Sequence, residues 1–324
     1  MQLADYYPTF LITTQYSSAF ISLLLNSILI LLILFRSPPN LGNYKYLMLY
    51  IVIFQIVYSI CDVIAEPTTL SYGSAFVVFR RFKHSIIGRS HSLFLIVVYC
   101  GMFGMSIALF AAHFIYRYAV INKEFRDFYL SGRRIYALYL TPMALGAIWS
   151  LLCHIFFHST PETDKFARGL LLDTYDVRIE NVAYIIVWFY PEDQHKETHP
   201  DWSVFFAIGC MWCLIISSLF CVIFFGFNCY TQLSKALIST RMASKLAKSL
   251  QQQLFLALVV QTLIPAILMY IPIAILFSFP MLKVNAGYLG SFITATVAIF
   301  PAIDPLPTMF IVKDFRETIL CESR

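Results

Sequence analysis

The sequence predicts an all-α membrane protein, a seven-transmembrane helix bundle with its N-terminus outside. Three observations carry that reading. Of the 324 residues 59% are hydrophobic and only 13% are charged, against about 25% charged in a typical soluble domain. Seven apolar runs each approach the ~20 residues that cross hydrocarbon. Lys and Arg are shared unevenly between the segments that join the runs. The net charge of +5 is modest, and no compact basic cluster with interleaved aromatics occurs, which argues against nucleic acid as a partner. The partner the composition calls for is the lipid bilayer.

The spans fall near 10–35, 46–66, 91–116, 135–157, 202–227, 251–279 and 287–311, and the whole chain, 1–324, reads as a single seven-helix domain. Each span is expected to be helical, because hydrocarbon offers no partner to an unpaired backbone group. The first is longer than the roughly 7–15 apolar residues of a signal peptide, and no cation precedes it. It reads as a span that also targets the chain. Ser37-Pro38-Pro39-Asn40-Leu41-Gly42 makes a short rigid turn into the second span. Asp62 lies inside that second span, where an ionisable group needs a partner or a water-filled space.

The third span is the most informative. Tyr99, Phe103, Ser106, Phe110, His113 and Arg117 recur at spacings of three and four, which keeps them on one face of a helix. Eighteen residues separate Tyr99 from Arg117, about 27 Å along the axis at 1.5 Å per residue. One stripe therefore joins an aromatic outer end to a cationic inner end. Tyr99, Phe103 and Ser106 are candidate ligand-binding residues. Asp62, His113, Tyr116, Arg117, Tyr118, Asp304 and Pro305 are candidates for a switch or for G-protein coupling. Plain bundle core is the competing explanation for each member of the stripe.

His154 and His158 are four apart at the end of the fourth span, and His195 and His199 repeat the spacing in the loop that follows. A metal site needs about three protein ligands converging on one point, and nothing in the sequence brings the two pairs together. No metal or cofactor is expected. The eight cysteines lie mostly in apolar runs as small hydrophobes, including the Cys210/Cys213 pair of the fifth span. Pro265 and Pro272 predict kinks in the sixth span. Asp304-Pro305-Leu306-Pro307 breaks the seventh near its inner end. Residues 313–319 then read as a short interfacial helix with Phe315, Ile319 and Leu320 on one side. Cys321 beyond it is either a free thiol or an acylation site.

Orientation follows from the loops. With the N-terminus outside, the inner segments 36–45, 117–134, 228–250 and 312–324 hold 14 of the 23 Lys and Arg, and the outer segments hold nine. The long loop 158–201 counts for less and is rich in acids. Arg80, Arg81, Lys83 and Arg89 in the first outer loop run against the trend.

Several segments together resemble the Str class of nematode serpentine chemoreceptors, G-protein-coupled receptors of sensory neurons. They are Leu41-Gly42-Asn43-Tyr44-Lys45-Tyr46, Ser71-Tyr72-Gly73-Ser74-Ala75-Phe76, His113-Phe114-Ile115-Tyr116-Arg117-Tyr118, and Ile303-Asp304-Pro305-Leu306-Pro307 with Lys313-Asp314-Phe315-Arg316. The resemblance implies an odorant-type receptor in the plasma membrane of sensory cilia that signals through a heterotrimeric G protein. Set beside rhodopsin-like receptors, Tyr116-Arg117-Tyr118 resembles their Asp-Arg-Tyr triplet with Tyr in the acidic position. Asp304-Pro305 resembles their Asn-Pro, and Thr308 stands where their Tyr would. Those receptors tie the second outer loop to the third span by a disulfide. This chain has no Cys in that loop.

The reading is therefore a chemosensory receptor, not an enzyme, that binds a small odorant-like molecule in its bundle. A zinc-dependent membrane hydrolase would need His and acid ligands at one depth, and His113 with Asp62 is the only interior pair on offer. A ligand-gated channel would need a row of polar groups along a path, which no span displays. A retinal protein is excluded, because the seventh span has no Lys for a Schiff base.

Overall fold

Backbone amides in hydrocarbon can bond only within their own segment, and the apolar runs form long helices for that reason. The computed structural model describes residues 2–37, 41–82, 88–192, 197–238, 245–285, 287 and 289–321. Pro38, Pro39 and Asn40 of the rigid turn lie outside the described residues, as do Lys83, Lys196, Arg241 and Arg324 of the loop cations and His195.

The chain opens with α1 (Gln2–Phe35) and α2 (Tyr44–Ala65), then α3 (Arg89–Ile121), the short α4 (Lys123–Tyr129) and α5 (Ile135–Phe156). After α6 (Pro161–Tyr175) comes α7 (Trp202–Ile238). The sixth span is built from α8 (Lys245–Pro265), a five-residue π-helix (Ala266–Tyr270) and α9 (Ile271–Met281). The seventh joins α10 (Leu289–Ile303) to α11 (Pro305–Ile311), and α12 (Lys313–Ile319) follows. Seven of these helical stretches are long and apolar enough to cross a membrane. The expected kink in the sixth span takes the form of the π-helix, which lies between Pro265 and Pro272, two residues that lack the N–H an α-helix would use.

The third and seventh spans are central. Inside the structure 61% and 72% of their apolar windows are buried, against 22% and 28% for the fourth and fifth. α3 and α5 meet at glycines. A Cβ added at Gly101 would stand 2.8 Å from the Gly146 carbonyl oxygen, so the two backbones touch with no room for a side chain.

The segments between spans are not all loop. β1 (Thr68–Tyr72), β2 (Ala75–Arg81) and β3 (Val182–Trp188) form an antiparallel sheet in the order β1-β2-β3. Gly73 (φ +56°) opens the turn between β1 and β2, a backbone conformation that glycine adopts without strain. The sheet lies across one end of the bundle. Alternate residues Phe76, Val78, Ile185 and Val187 join the bundle core. The intervening Val77, Phe79, Tyr184 and Ile186 pack under α6 with Ala167 and Leu171. Every residue of β3 is buried because both faces are covered.

α6 is anchored at its start by a capping box in which Thr160 and Thr163 satisfy each other's backbone N–H. Tyr184 of β3 donates a 2.5 Å hydrogen bond to Asp164. Burial, then this bond, raises the Tyr184 hydroxyl above its ordinary pKa, so it stays a donor. The expected all-helical bundle is present, and this sheet with its helical cover is an addition to it.

Candidate functional site

Beneath the sheet lies a cavity of about 80 Å³, lined by α3, α5, α7, α9, α10 and the inner face of the sheet. Its walls are aromatic. The Phe103 and Trp149 rings are 5.7 Å apart, Trp149 and Phe277 6.4 Å, and Phe277 and Phe76 5.8 Å. This makes one connected wall from α3 to β2. Polar groups are few. Thr294 donates a 2.8 Å hydrogen bond to the Thr69 hydroxyl, and both residues border the space. Tyr99 is the other, and its ring also meets Tyr58 at 5.6 Å.

Behind Tyr99 sits Asp62, 4% exposed. Tyr99 and Gln15 are near its carboxyl group, and its Oδ1 atom has no hydrogen-bond partner among the described residues. An apolar space with a polar group at one margin suits a small, mostly apolar ligand.

The opposite end of α3 is polar. Arg117 is only 1% exposed, and its guanidinium carbon lies 5.0 Å from the centre of the Tyr44 ring, a cation–π contact. Tyr44, the first residue of α2, also stacks on Tyr116 at 5.5 Å and meets His113 at 6.0 Å. Tyr118 points elsewhere. Its hydroxyl accepts from Asn122 at 3.0 Å and from Gln232 of α7 at 3.4 Å, and its ring packs on Phe125 and Phe225.

Between the two ends, the seventh span is broken at Asp304, and the sequence explains what holds the break. Pro305 has no N–H, so the Pro301 carbonyl loses its helical partner. Asn26 donates to that oxygen at 3.0 Å and Ser22 at 3.2 Å, both from α1. Gln261 of α8 donates to the Asp304 carbonyl at 3.0 Å, and Gln55 of α2 reaches the Asp304 carboxyl at 3.3 Å. α1 thus supplies the donors that Pro305 removes, the usual condition for proline at membrane depth, and α2 and α8 hold Asp304 at the same break. A cavity of about 20 Å³ lies here, bordered by Asn26, Tyr44, His113, Gln261, Asp304 and Thr308, room for about one water molecule.

The model of the serpentine type 7TM GPCR chemoreceptor Str family matches residues 11–320. The chain belongs to the Str chemoreceptor family. Among its relatives, the Caenorhabditis elegans G-protein coupled receptor str-217 is 39% identical over 298 residues, which cover 91% of this chain and 85% of that one. Serpentine receptor class r-10 of the same species is 31% identical over 303 residues, covering 90% and 85%. Squid rhodopsin superposes with a TM-score of 0.66 over 98% of this chain and 81% of its own, at 15% identity, which shows a shared fold. This Str-family protein is accordingly a seven-helix, multi-pass G-protein-coupled receptor.

In the Str receptor the sequence candidates separate into two groups. Tyr99 and Phe103 line the cavity below the sheet. Ser106 lies a turn further along and spends its hydroxyl on the Met102 carbonyl at 3.0 Å, outside the cavity lining. His113, Tyr116 and Arg117 gather with Tyr44, and Asp304 and Pro305 border the small cavity beside them. Asp62 falls with the sheet end instead. It is 18 residues from Tyr44 along α2, about 27 Å. Trp149, Phe277, Thr294 and the inner face of the sheet were missed. The helical residues among them show no spacing that marks them out, since α5 and α9 are apolar all round.

His158 bonds the Ile155 carbonyl through Nδ1 at 2.8 Å, and no cluster of three or more metal-ligating side chains occurs among the described residues.

Proposed function

We propose that this Str receptor is chemosensory, with the sheet outside the cell and the Arg117 end in the cytoplasm. It binds a small, predominantly apolar odorant-like molecule in the cavity below the sheet. Occupancy shifts the bundle between two packings and activates a heterotrimeric G protein at the Arg117 end, in the plasma membrane of sensory cilia. The observation that carries this reading is that one helix, α3, borders the cavity with Tyr99 and Phe103 and ends in buried Arg117.

The excess of Lys and Arg in the segments at the Arg117 end supports the orientation. The family description, a chemoreceptor, supports the ligand class. At 80 Å³ the cavity is small beside the roughly 300–1,000 Å³ of drug-sized pockets. The fitting ligands are small volatile molecules, or larger ones that displace an aromatic ring. Displacing Trp149 or Phe277 moves a ring that packs on a neighbouring span, and a packed interface answers such a push by switching rather than by yielding gradually. The test is a panel of small apolar compounds on cells that express the chain with a G-protein reporter. Concentration-dependent output that empty cells lack supports the reading. Surface-expressed receptor that is silent to the panel, and lacks basal output when G protein is supplied, contradicts it.

A further inference from the structure

A second cavity, about 510 Å³, lies between α3, α5 and α7 and reaches the Arg117 end. The proposed odorant site does not use it. Its floor is the small-residue face of α3, with Ala108, Ala111 and Ala112, and its sides are Leu138 of α5 and Leu214 and Phe225 of α7. The lining is almost wholly apolar. Arg134, just ahead of α5, is the single charged residue that borders it among the described residues.

The guanidinium is held at the rim. It hydrogen-bonds the Phe128 carbonyl and lies 5.3 Å from the centre of the Phe128 ring. Arg carries five N–H donors in a fixed fork, so this tether leaves donors for an anion. Arg133 beside it is exposed and adds a second cation. The two acids nearby in sequence do not cancel the pair: Asp127 is bridged to Arg126 at 2.9 Å, and Glu124 belongs to the first turn of α4.

We propose that this groove is a binding site for an anionic phospholipid, with one acyl chain along the alanine face of α3 and the phosphate on Arg134. A long apolar trough that ends in a fixed guanidinium complements such a lipid in both shape and charge. A zwitterionic lipid fills the trough equally well but presents no net charge to Arg134 and Arg133. The site reaches the coupling end, because Phe225 on its wall packs against Tyr118 at 5.4 Å. It depends on neither the identity of the odorant nor the orientation of the chain.

The test is native mass spectrometry of the full-length receptor released from nanodiscs of phosphatidylcholine with phosphatidylglycerol. The expected result is a roughly tenfold retention preference for phosphatidylglycerol, the factor one charged contact of about 1.4 kcal/mol confers. Arg134→Gln should abolish the preference yet still retain lipid, and Arg134→Lys should keep most of it. Ala111→Leu and Ala137→Leu fill the groove from positions with free space, and should lower retention of both lipids. No preference in the native chain, an unchanged preference in Arg134→Gln, or unchanged retention in both groove-filling variants each overturns the proposal.

Discussion

Arg117 shows how packing places a single charged side chain. Its guanidinium lies over the Tyr44 ring, in a position 1% exposed, one turn before α3 ends at Ile121. The cation–π contact contributes about 0.5–2 kcal/mol. Truncation removes this contact together with the cation and a buried stem, so its effect on output is read per receptor at the surface. Arg117→Ala is expected to reach the cell surface at near-normal level and to give no G-protein output. Arg117→Lys is expected to recover only part of it, because an ammonium keeps the charge but not the planar face. Normal signalling by surface-expressed Arg117→Ala would remove Arg117 from the coupling mechanism. The stripe from Tyr99 to Arg117 was legible in the sequence, since spacing alone puts its members on one face, and all six are buried. Tyr44 as the partner of Arg117 was not legible. That contact joins α2 to α3, and its geometry is set by how two helices pack, which neither helix encodes by itself. Asp62 marks the boundary of this limit: the span 46–66 already puts it four residues from the outer end, but not beside Tyr99 of α3.

At the scale of elements, α3 and α5 depend on a contact between bare backbones. An added methyl at Gly101 would meet the Ser150 hydroxyl at 1.8 Å and the Gly146 carbonyl at 2.8 Å. The Ser150 hydroxyl can rotate away only by giving up its 3.1 Å hydrogen bond to the Val97 carbonyl. Gly101→Ala is expected to destabilise the bundle by about 1–3 kcal/mol, the usual range for overpacking. A lower thermal midpoint for the purified receptor checks this, and an unchanged midpoint would mean that the two helices separate without penalty. Helices were the legible elements, because run length alone specifies them in a membrane. The sheet was not. Val182-Ala-Tyr-Ile-Ile-Val-Trp188 has the β-branched and aromatic composition of a strand, but it lacks period-two alternation, since α6 covers one face and the bundle the other. Its partner β2 lies about a hundred residues earlier in the chain, a pairing that no local pattern announces. The prolines of the sixth and seventh spans were legible as breaks. The residues that brace the break in the seventh, Asn26, Gln55 and Gln261, were not, because each sits on a different helix.

The whole molecule is a helix bundle closed at one end by a hydrogen-bonded sheet, with a buried arginine near the other. Its seven-span character followed from composition and run length, and its proposed orientation from loop charge. Tags at the two termini, tested with antibody on intact cells, should show the N-terminal tag exposed and the C-terminal tag protected. An accessible C-terminal tag would reverse the proposed direction of signalling. The cavity beneath the sheet was legible only through Tyr99 and Phe103, because the remaining wall is contributed by four other helices and the sheet. The central claim is that this cavity holds the ligand, and the competing account is that its rings only fill the core. A large-to-small core change such as Phe→Ala costs about 3–5 kcal/mol and lowers abundance whatever the ligand. A milder change at a contact surface alters each ligand by a different amount. The most direct measurement is the potency of several agonists on Phe103→Leu, with Tyr99→Phe in parallel, at surface levels matched to the native receptor. The account expects a changed rank order of agonists. A single common factor applied to all of them would contradict it.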